Sequence, residues 1–251
     1  MAGKAMKKVS TMLEARPIIV TGASRGVGLE LTRQLIASGQ SVIGVARHCP
    51  KIHASDRFRF IACDLADRDA VMRLIHDLIE LRPRGLINNA AIQTEKDWAS
   101  LSLEEIAAGF AAEIQVDLLA PMHLSYGLLQ VIKNAEDGFI CNINSALALA
   151  PKVSAPAYCA AKAALRNATV SLRGSTRGLT DLLVNETYLP LVDTDMTKGR
   201  GRSKISAEAA ASAILNGLRR RQTETWVGQT RLLRLLWRLA PSQTSRLLLG
   251  A

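Results

Sequence analysis

Ser145, Tyr158 and Lys162 bring a hydroxyl, a phenol and an ammonium into one short run, SALALAPKVSAPAYCAAK, where the three can act on a single carbonyl. Tyr158 and Lys162 stand at i, i+4. The Ala-rich apolar stretch predicts a helix over 158–174, which puts both side chains on one face, one turn apart. A cation so placed favours the phenolate. A free phenol titrates near 10, so drawing it toward ~7 takes roughly 4 kcal/mol of preferential stabilisation, which a nearby ammonium in a desolvated cleft can supply. The pair is then a proton donor. The same spacing also occurs on ordinary helices as a solvated lysine beside a half-buried tyrosine, so it needs a second signal.

Pro17–Val20 reads as a buried strand running into Thr21, Gly22, Ala23, Ser24, Arg25, Gly26, Val27 and Gly28, followed by a helical pattern over Leu29–Ser38. In a strand, glycine turn and helix of this kind the glycines let the backbone turn tightly and approach a pyrophosphate. The unsatisfied N–H groups at the helix N-terminus then meet its charge. The spacing here is GxxxGxG rather than GxGxxG.

With these two motifs in view, the chain resembles the short-chain dehydrogenase/reductase family, in the branch of about 250 residues, and the resemblance runs from Pro17 to Gly228. Further segments carry it: Asp64-Leu65 after a strand, Asn88-Asn89-Ala90-Ala91, Ser145 ahead of Tyr158, and Leu189-Pro190-Leu191-Val192-Asp193-Thr194. NNAAIQ and PLVDTDM look like a bacterial branch similar to DltE, a label that marks kinship and names no substrate. The resemblance implies that Tyr158 donates a proton to the substrate oxygen while a nicotinamide delivers hydride to its carbon. It implies that Ser145 fixes the carbonyl, and that Lys162 lowers the phenol and bonds the nicotinamide ribose. Gly22, Ser24, Arg25, Gly26, Val27, Gly28, Arg47, Asp64, Leu65, Asn89, Ala90, Val192 and Thr194 fall at its cofactor-contact positions, with Asp64 on the adenine and Asn89 supporting the cofactor-side strand end.

NADP(H) is favoured over NAD(H) by charge. The second strand ends Val45-Ala46-Arg47, with Ala46 where NAD-preferring relatives carry an acid, and Arg47 and Arg25 are able to clamp a 2′-phosphate. Three departures from the family pattern stand out. NNAG is NNAA, the Pro-Gly pair is Leu189-Pro190, and Asp117, in QVDLLAP, replaces the Asn that completes the family's active-site tetrad. A carboxylate there would pair with Lys162 and weaken its hold on Tyr158, which leaves a cofactor-binding scaffold with impaired catalysis as one alternative. Reduction of an imine or enone is another. Epimerisation or dehydration of sugar nucleotides is disfavoured, because such relatives usually have a C-terminal substrate domain.

The elements that must position these residues follow an alternating rhythm. Strands are expected at 17–20, 41–46, 58–63, 85–88, 139–143, 182–189 and 225–228, separated by amphipathic helical stretches. This is an α/β pattern: a single-domain Rossmann-type doubly wound parallel sheet of about seven strands with helices on both faces. Every motif falls at a strand's carboxyl end, where ligands bind in such sheets. With 251 residues and 48% hydrophobic content, one substantial core is expected over 17–251.

The net charge of +10 is concentrated at the ends. Residues 1–16 hold four Lys/Arg against Glu14 and read as a flexible basic extension, while residues 197–251 hold eleven against Glu208 and Glu224. No nucleic-acid module or interleaving of aromatics with the basic residues accompanies the charge, so nucleic-acid binding is not expected. A basic lid over 194–206, with Lys198, Arg200, Arg202 and Lys204, suggests a small-molecule substrate that is anionic. Cys49, Cys63, Cys141 and Cys159 lack metal-ligand or redox spacing and read as reduced thiols. The N-terminus has no apolar signal core and no run is long enough to span a bilayer, so a cytoplasmic protein is expected. The resemblance implies a homodimer or homotetramer built through helices near 106–134 and 158–178. The amphipathic C-terminal segment 230–251 carries Arg231, Arg234 and Arg238 in a stripe among leucines and Trp237 over Thr230–Leu239. It is expected to pack on the body of the oligomer or, in a sharper reading, to make peripheral contact with a membrane.

Overall fold

The computed structural model describes residues 16–249 apart from 53, 54, 180 and 202, and the side chains of these apart from 247 and 248. The basic extension expected at the N-terminus therefore lies, except for Arg16, outside the described residues.

Seven strands form one fully parallel sheet: β1 (Ile18–Thr21), β2 (Val42–Ala46), β3 (Phe58–Ala62), β4 (Gly85–Asn88), β5 (Phe139–Ser145), β6 (Leu183–Leu189) and β9 (Glu224–Trp226), in spatial order β3-β2-β1-β4-β5-β6-β9. The order reverses between β1 and β4, which opens a crevice at their carboxyl ends. Two short strands that the sequence reading did not separate, β7 (Val192–Asp193) and β8 (Ile205–Ser206), pair parallel to each other and brace the base of the expected lid. The central strands read as apolar runs because both of their faces are covered. Ile19, Leu86 and Ile140 form a core with helices α2 (Arg68–Glu80) and α4 (Ala120–Ile132). On the opposite face Val20, Ile87 and Cys141 pack with α1 (Gly26–Ala37) and α6 (Ala207–Arg219). Each fully buried Ile or Leu contributes about 1.5–3 kcal/mol, so the layers are fixed by many such side chains.

The remaining helices are α3 (Leu103–Ile114), α5 (Pro156–Ser175), α7 (Thr230–Leu239) and α8 (Pro241–Leu249). The helix expected from 158 begins two residues earlier, because Pro156 suits a first turn that has no use for its missing N–H. The region expected as helix near 106–134 is broken by a π-helical turn, Gln115–Leu119. Pro121 has no N–H to give the carbonyl of Asp117 four residues back, and its ring crowds that carbonyl, so the ladder slips to the wider turn. Among the described helices, none is long and apolar enough to cross a membrane.

Candidate active site

The glycine turn builds the first half of the site from backbone alone. Gly22 has φ +68°, and a Cβ there would lie 2.9 Å from the Cα of Ala90. A Cβ on Gly28 would lie 2.2 Å from the carbonyl oxygen of Gly22. The turn can close only with glycine at both places. The helices α2 and α3 are capped by the side chains of Asp67 and Ser102, whereas Arg25 at the N-cap of α1 makes no side-chain cap bond. The first N–H groups of α1 therefore face the cavity without a side-chain acceptor, the arrangement a pyrophosphate fits.

Around that turn opens a cavity of about 1120 Å³, and it gathers nearly all the residues singled out from sequence: Gly22, Ser24, Arg25, Gly26, Val27, Gly28, Arg47, Asp64, Leu65, Asn89, Ala90, Ser145, Tyr158, Lys162, Val192 and Thr194. Asn89 acts as a clamp between strands: its amide Nδ2 donates to the Thr21 carbonyl (2.9 Å) and its backbone N–H to Thr21 Oγ1 (2.9 Å). Asp64 Oδ1 accepts from the N–H of Ala66 at 3.0 Å, holding the turn that presents Asp64 and Leu65. Arg25 and Arg47 are both exposed at the rim beside Ala46. Arg25 also lies 3.9 Å from Asp195, but both side chains are mostly exposed and such a pair holds neither tightly. Thr194 packs against the turn at Gly26. These groups fit a dinucleotide.

The catalytic half is charged and largely buried. Tyr158 and Lys162 lie on α5, with Ser145 at the end of β5. A hydrogen bond from Ser145 lowers the phenol pKa, but burial and the charge of Asp117 outweigh it, so Tyr158 sits above its ordinary value. This corrects the expectation that Lys162 draws the phenol down. The ammonium Nζ lies 5.5 Å from the centre of the phenol ring, over its face, and donates to the Ile143 carbonyl at 3.2 Å. Burial lowers the Lys162 pKa, while Asp117 and Glu186 pull it back up.

Asp117, which does not line the cavity wall, is fully buried in the π turn. Its Oδ1 accepts from the N–H of Ile92 at 2.9 Å, and its Oδ2 has no hydrogen-bond partner. Burial pushes its pKa from 3.8 to about 7, against the pull of Lys162 and of the Ile92 bond. The expected carboxylate that pairs with the ammonium is thus a group that carries a proton over much of the range below neutrality.

Sequence reasoning missed Glu186. It lies in β6, a strand buried along its whole length, and burial raises its pKa from 4.5 to about 7. Its Oε1 accepts from Asn144 Nδ2 at 2.7 Å, and the same amide donates to the Lys162 carbonyl at 3.1 Å. An acid within an otherwise continuous buried strand, LVNETYL, was the available signal. Glu113 is a second buried acid near Tyr158, with its Oε1 accepting from the Thr94 N–H at 2.6 Å. Lys152 also escaped notice; it pairs with Glu95 at 3.2 Å on the cavity wall.

The lid is less free than its charge suggested. Arg200 bonds Glu95 and Gln93, and Lys204 Nζ donates to the Thr197 carbonyl and to Asp193; Arg202 is outside the described residues. At the C-terminus, Trp237 packs toward Leu149, Tyr188 and Trp226, with the Arg166 guanidinium 5.5 Å from its ring centre. The α7 residues Leu232, Leu233 and Leu236 line the cavity.

Residues 16–204 match the family model for short chain dehydrogenases. An uncharacterised oxidoreductase of Bacillus subtilis, DltE, is 32% identical over 226 residues, covering 82% of this chain and 86% of its own. L-xylulose reductase of Caenorhabditis elegans is 30% identical over 71% of this chain and 72% of its own. Among solved structures, a short chain dehydrogenase of Burkholderia cenocepacia in complex with NADP superposes with a TM-score of 0.83 at 23% identity, covering 94% of this chain and 98% of that one. A 4-hydroxyisoleucine dehydrogenase in complex with NADH gives 0.74 at 21% identity, covering 84% and 96%.

Proposed function

This chain belongs to the short-chain dehydrogenase family, and within it we propose an NADPH-dependent reductase of a carbonyl group whose proton donor is Tyr158. The observation that carries this reading is the meeting of the Tyr158 hydroxyl, the Ser145 hydroxyl and the glycine turn in one cavity. A bound nicotinamide would supply the hydride. The chain's own groups do the rest. Ser145 orients the substrate oxygen toward Tyr158. Burial keeps the phenol protonated at neutral pH, the form from which a reduction starts. Lys162, held by the Ile143 carbonyl and flanked by Asp117 and Glu186, places a cation beneath the site where negative charge develops on the oxygen. The pyrophosphate would rest on the first N–H groups of α1, and Arg25 and Arg47 favour the 2′-phosphate of NADP over the bare ribose of NAD.

Tyr158→Phe tests this mechanism. NADPH affinity stays within a few-fold, and turnover of a ketone panel falls by ~10²–10⁴. Unchanged turnover would remove Tyr158 from the chemistry.

We propose further that the protein is a homodimer or homotetramer joined through α3, α4 and α5. These helices leave Tyr126 and Val170 about half exposed, at 49% and 46%. Light scattering at micromolar concentration is expected to give a multiple of 27.1 kDa, and a monomer mass would refute it.

A further inference from the structure

The cavity's charges are unevenly balanced along its length. At the glycine-turn end, Arg25 and Arg47 face Asp64 and Asp195, two cations to two acids. At the Tyr158 end, Lys152 and Arg200 share a single acid, Glu95, at 3.2 Å each. That trio is 20–30% exposed and assembled from three separate segments. Glu95 follows the Asn89 segment, Arg200 comes from the lid, and Lys152 lies between Ser145 and Tyr158, its backbone N–H donating to Cys159 Sγ at 3.3 Å. Gln93 Oε1 fixes the guanidinium of Arg200 from a second side, at 2.9 Å. One cation is left in excess on the wall of the cavity that holds Tyr158, and the apolar side chains Leu147, Leu233 and Leu236 line the same cavity.

Resting on the reductase reading above, we propose that the substrate is an aliphatic carbonyl compound bearing an anionic oxygen group, a carboxylate or a phosphate, which Lys152 and Arg200 receive while Leu233 and Leu236 take the chain. Glu95 bridges the two cations and neutralises one of them, which leaves one net charge for the ligand. The reduction breaks the carbonyl π bond, with hydride from NADPH arriving at carbon and the Tyr158 proton at oxygen. NADP⁺ leaves oxidised, and solvent water restores the phenol proton. The anion takes no part in this balance and serves only to orient the carbonyl.

The test compares octanone with the oxo-octanoate of equal chain length, using the full chain and saturating NADPH at low salt. Oxo-octanoate is expected to have a kcat/KM higher by at least about 10-fold, and added salt narrows the gap. Lys152→Gln with Arg200→Gln lowers kcat/KM for oxo-octanoate by ~10–100-fold and leaves octanone within about 3-fold. Glu95→Gln moves the other way, lowering KM for oxo-octanoate by roughly 2–5-fold, an opposite sign that a merely structural ion pair would not produce. Equal handling of the two ketones, or equal loss of both in the double variant, overturns the proposal. Calorimetry of oxo-octanoate on the NADP-loaded protein separates this inference from the reductase reading. Binding that depends on Lys152 and Arg200 without turnover upholds the anion site and sinks the reductase reading, whereas neither binding nor turnover overturns the anion site.

Discussion

The two halves of the cavity solve opposite problems. The glycine turn presents unpaired N–H groups and two exposed arginines to a ligand, and almost nothing there is titratable and buried. The catalytic half buries Asp117, Lys162 and Glu186, and Asp117 acts on both Tyr158 and Lys162, with both acids raised to about 7 by loss of water. The first half depends on shape and costs little to keep. In the second, the charge state of each group depends on its neighbours, so its behaviour follows pH. Strong burial of several titratable groups beside a nucleophile or acid is a recognised mark of a catalytic site.

Charge at the turn is exposed, so it should act on the ligand and leave the fold alone. Arg47→Asp is expected to weaken NADPH binding by ~10–100-fold while changing NADH binding by less than about 3-fold, with Tm unaltered. Direct titration of both cofactors checks it. Equal loss of the two would show that Arg47 does not meet the phosphate, and the comparison would then lose its ligand-facing half.

Charge in the catalytic half should act on the fold. Asp117 and Glu186 have folded-state pKa values raised above their ordinary 3.8 and 4.5. Between those values and about 7 the native chain holds protons that the unfolded chain has released, so stability falls as pH rises through this window and levels off above it. Asp117→Asn removes one of the two contributions, and the amide keeps an oxygen for the Ile92 N–H. The fall in Tm between pH 5 and pH 8 should therefore be shallower in the variant, by about 2–4 °C for each kcal/mol removed, with the Glu186 share remaining. Parallel Tm curves for the two proteins would mean that Asp117 is ionised throughout, paired to Lys162 as the sequence alone suggested.

This contrast also explains what could be read from sequence. The seven strands, their parallel pairing and the glycine turn were legible because each depends on local pattern: apolar runs bounded by turns and separated by helices, and glycines at positions where a Cβ would strike backbone. Ser145, Tyr158 and Lys162 were legible through spacing within one loop and helix. The titration of Tyr158 was legible only in part: Asp117, 41 residues away in the chain, was expected to weaken the hold of Lys162, but the larger cause is burial, which no motif announces. Glu186 and the Glu95–Lys152–Arg200 trio were hidden for the same reason, since each is a meeting of segments with no common motif. Pro121 held the one local clue to the π turn.

The smallest effect concerns α7. Membrane contact by this helix with Trp237 in the acyl boundary would require pulling Trp237 away from Arg166 and from the Leu149, Tyr188 and Trp226 cluster. It would also release Thr230, which is 1% exposed and donates to the carbonyls of Tyr188 and Val227, and would strip Leu233 from the cavity wall. With the helix in place, Leu235 and Leu239 are the side chains exposed by 54% and 74% that do not line the cavity. Two partly buried leucines give at most a few kcal/mol on a lipid surface, short of stable anchoring. Full-length protein should therefore sediment only weakly with anionic vesicles, Leu235→Gln with Leu239→Gln should abolish even that, and turnover should change by less than about twofold in either case. Strong sedimentation accompanied by loss of turnover would show instead that α7 leaves the body for the membrane and opens the catalytic half as it goes.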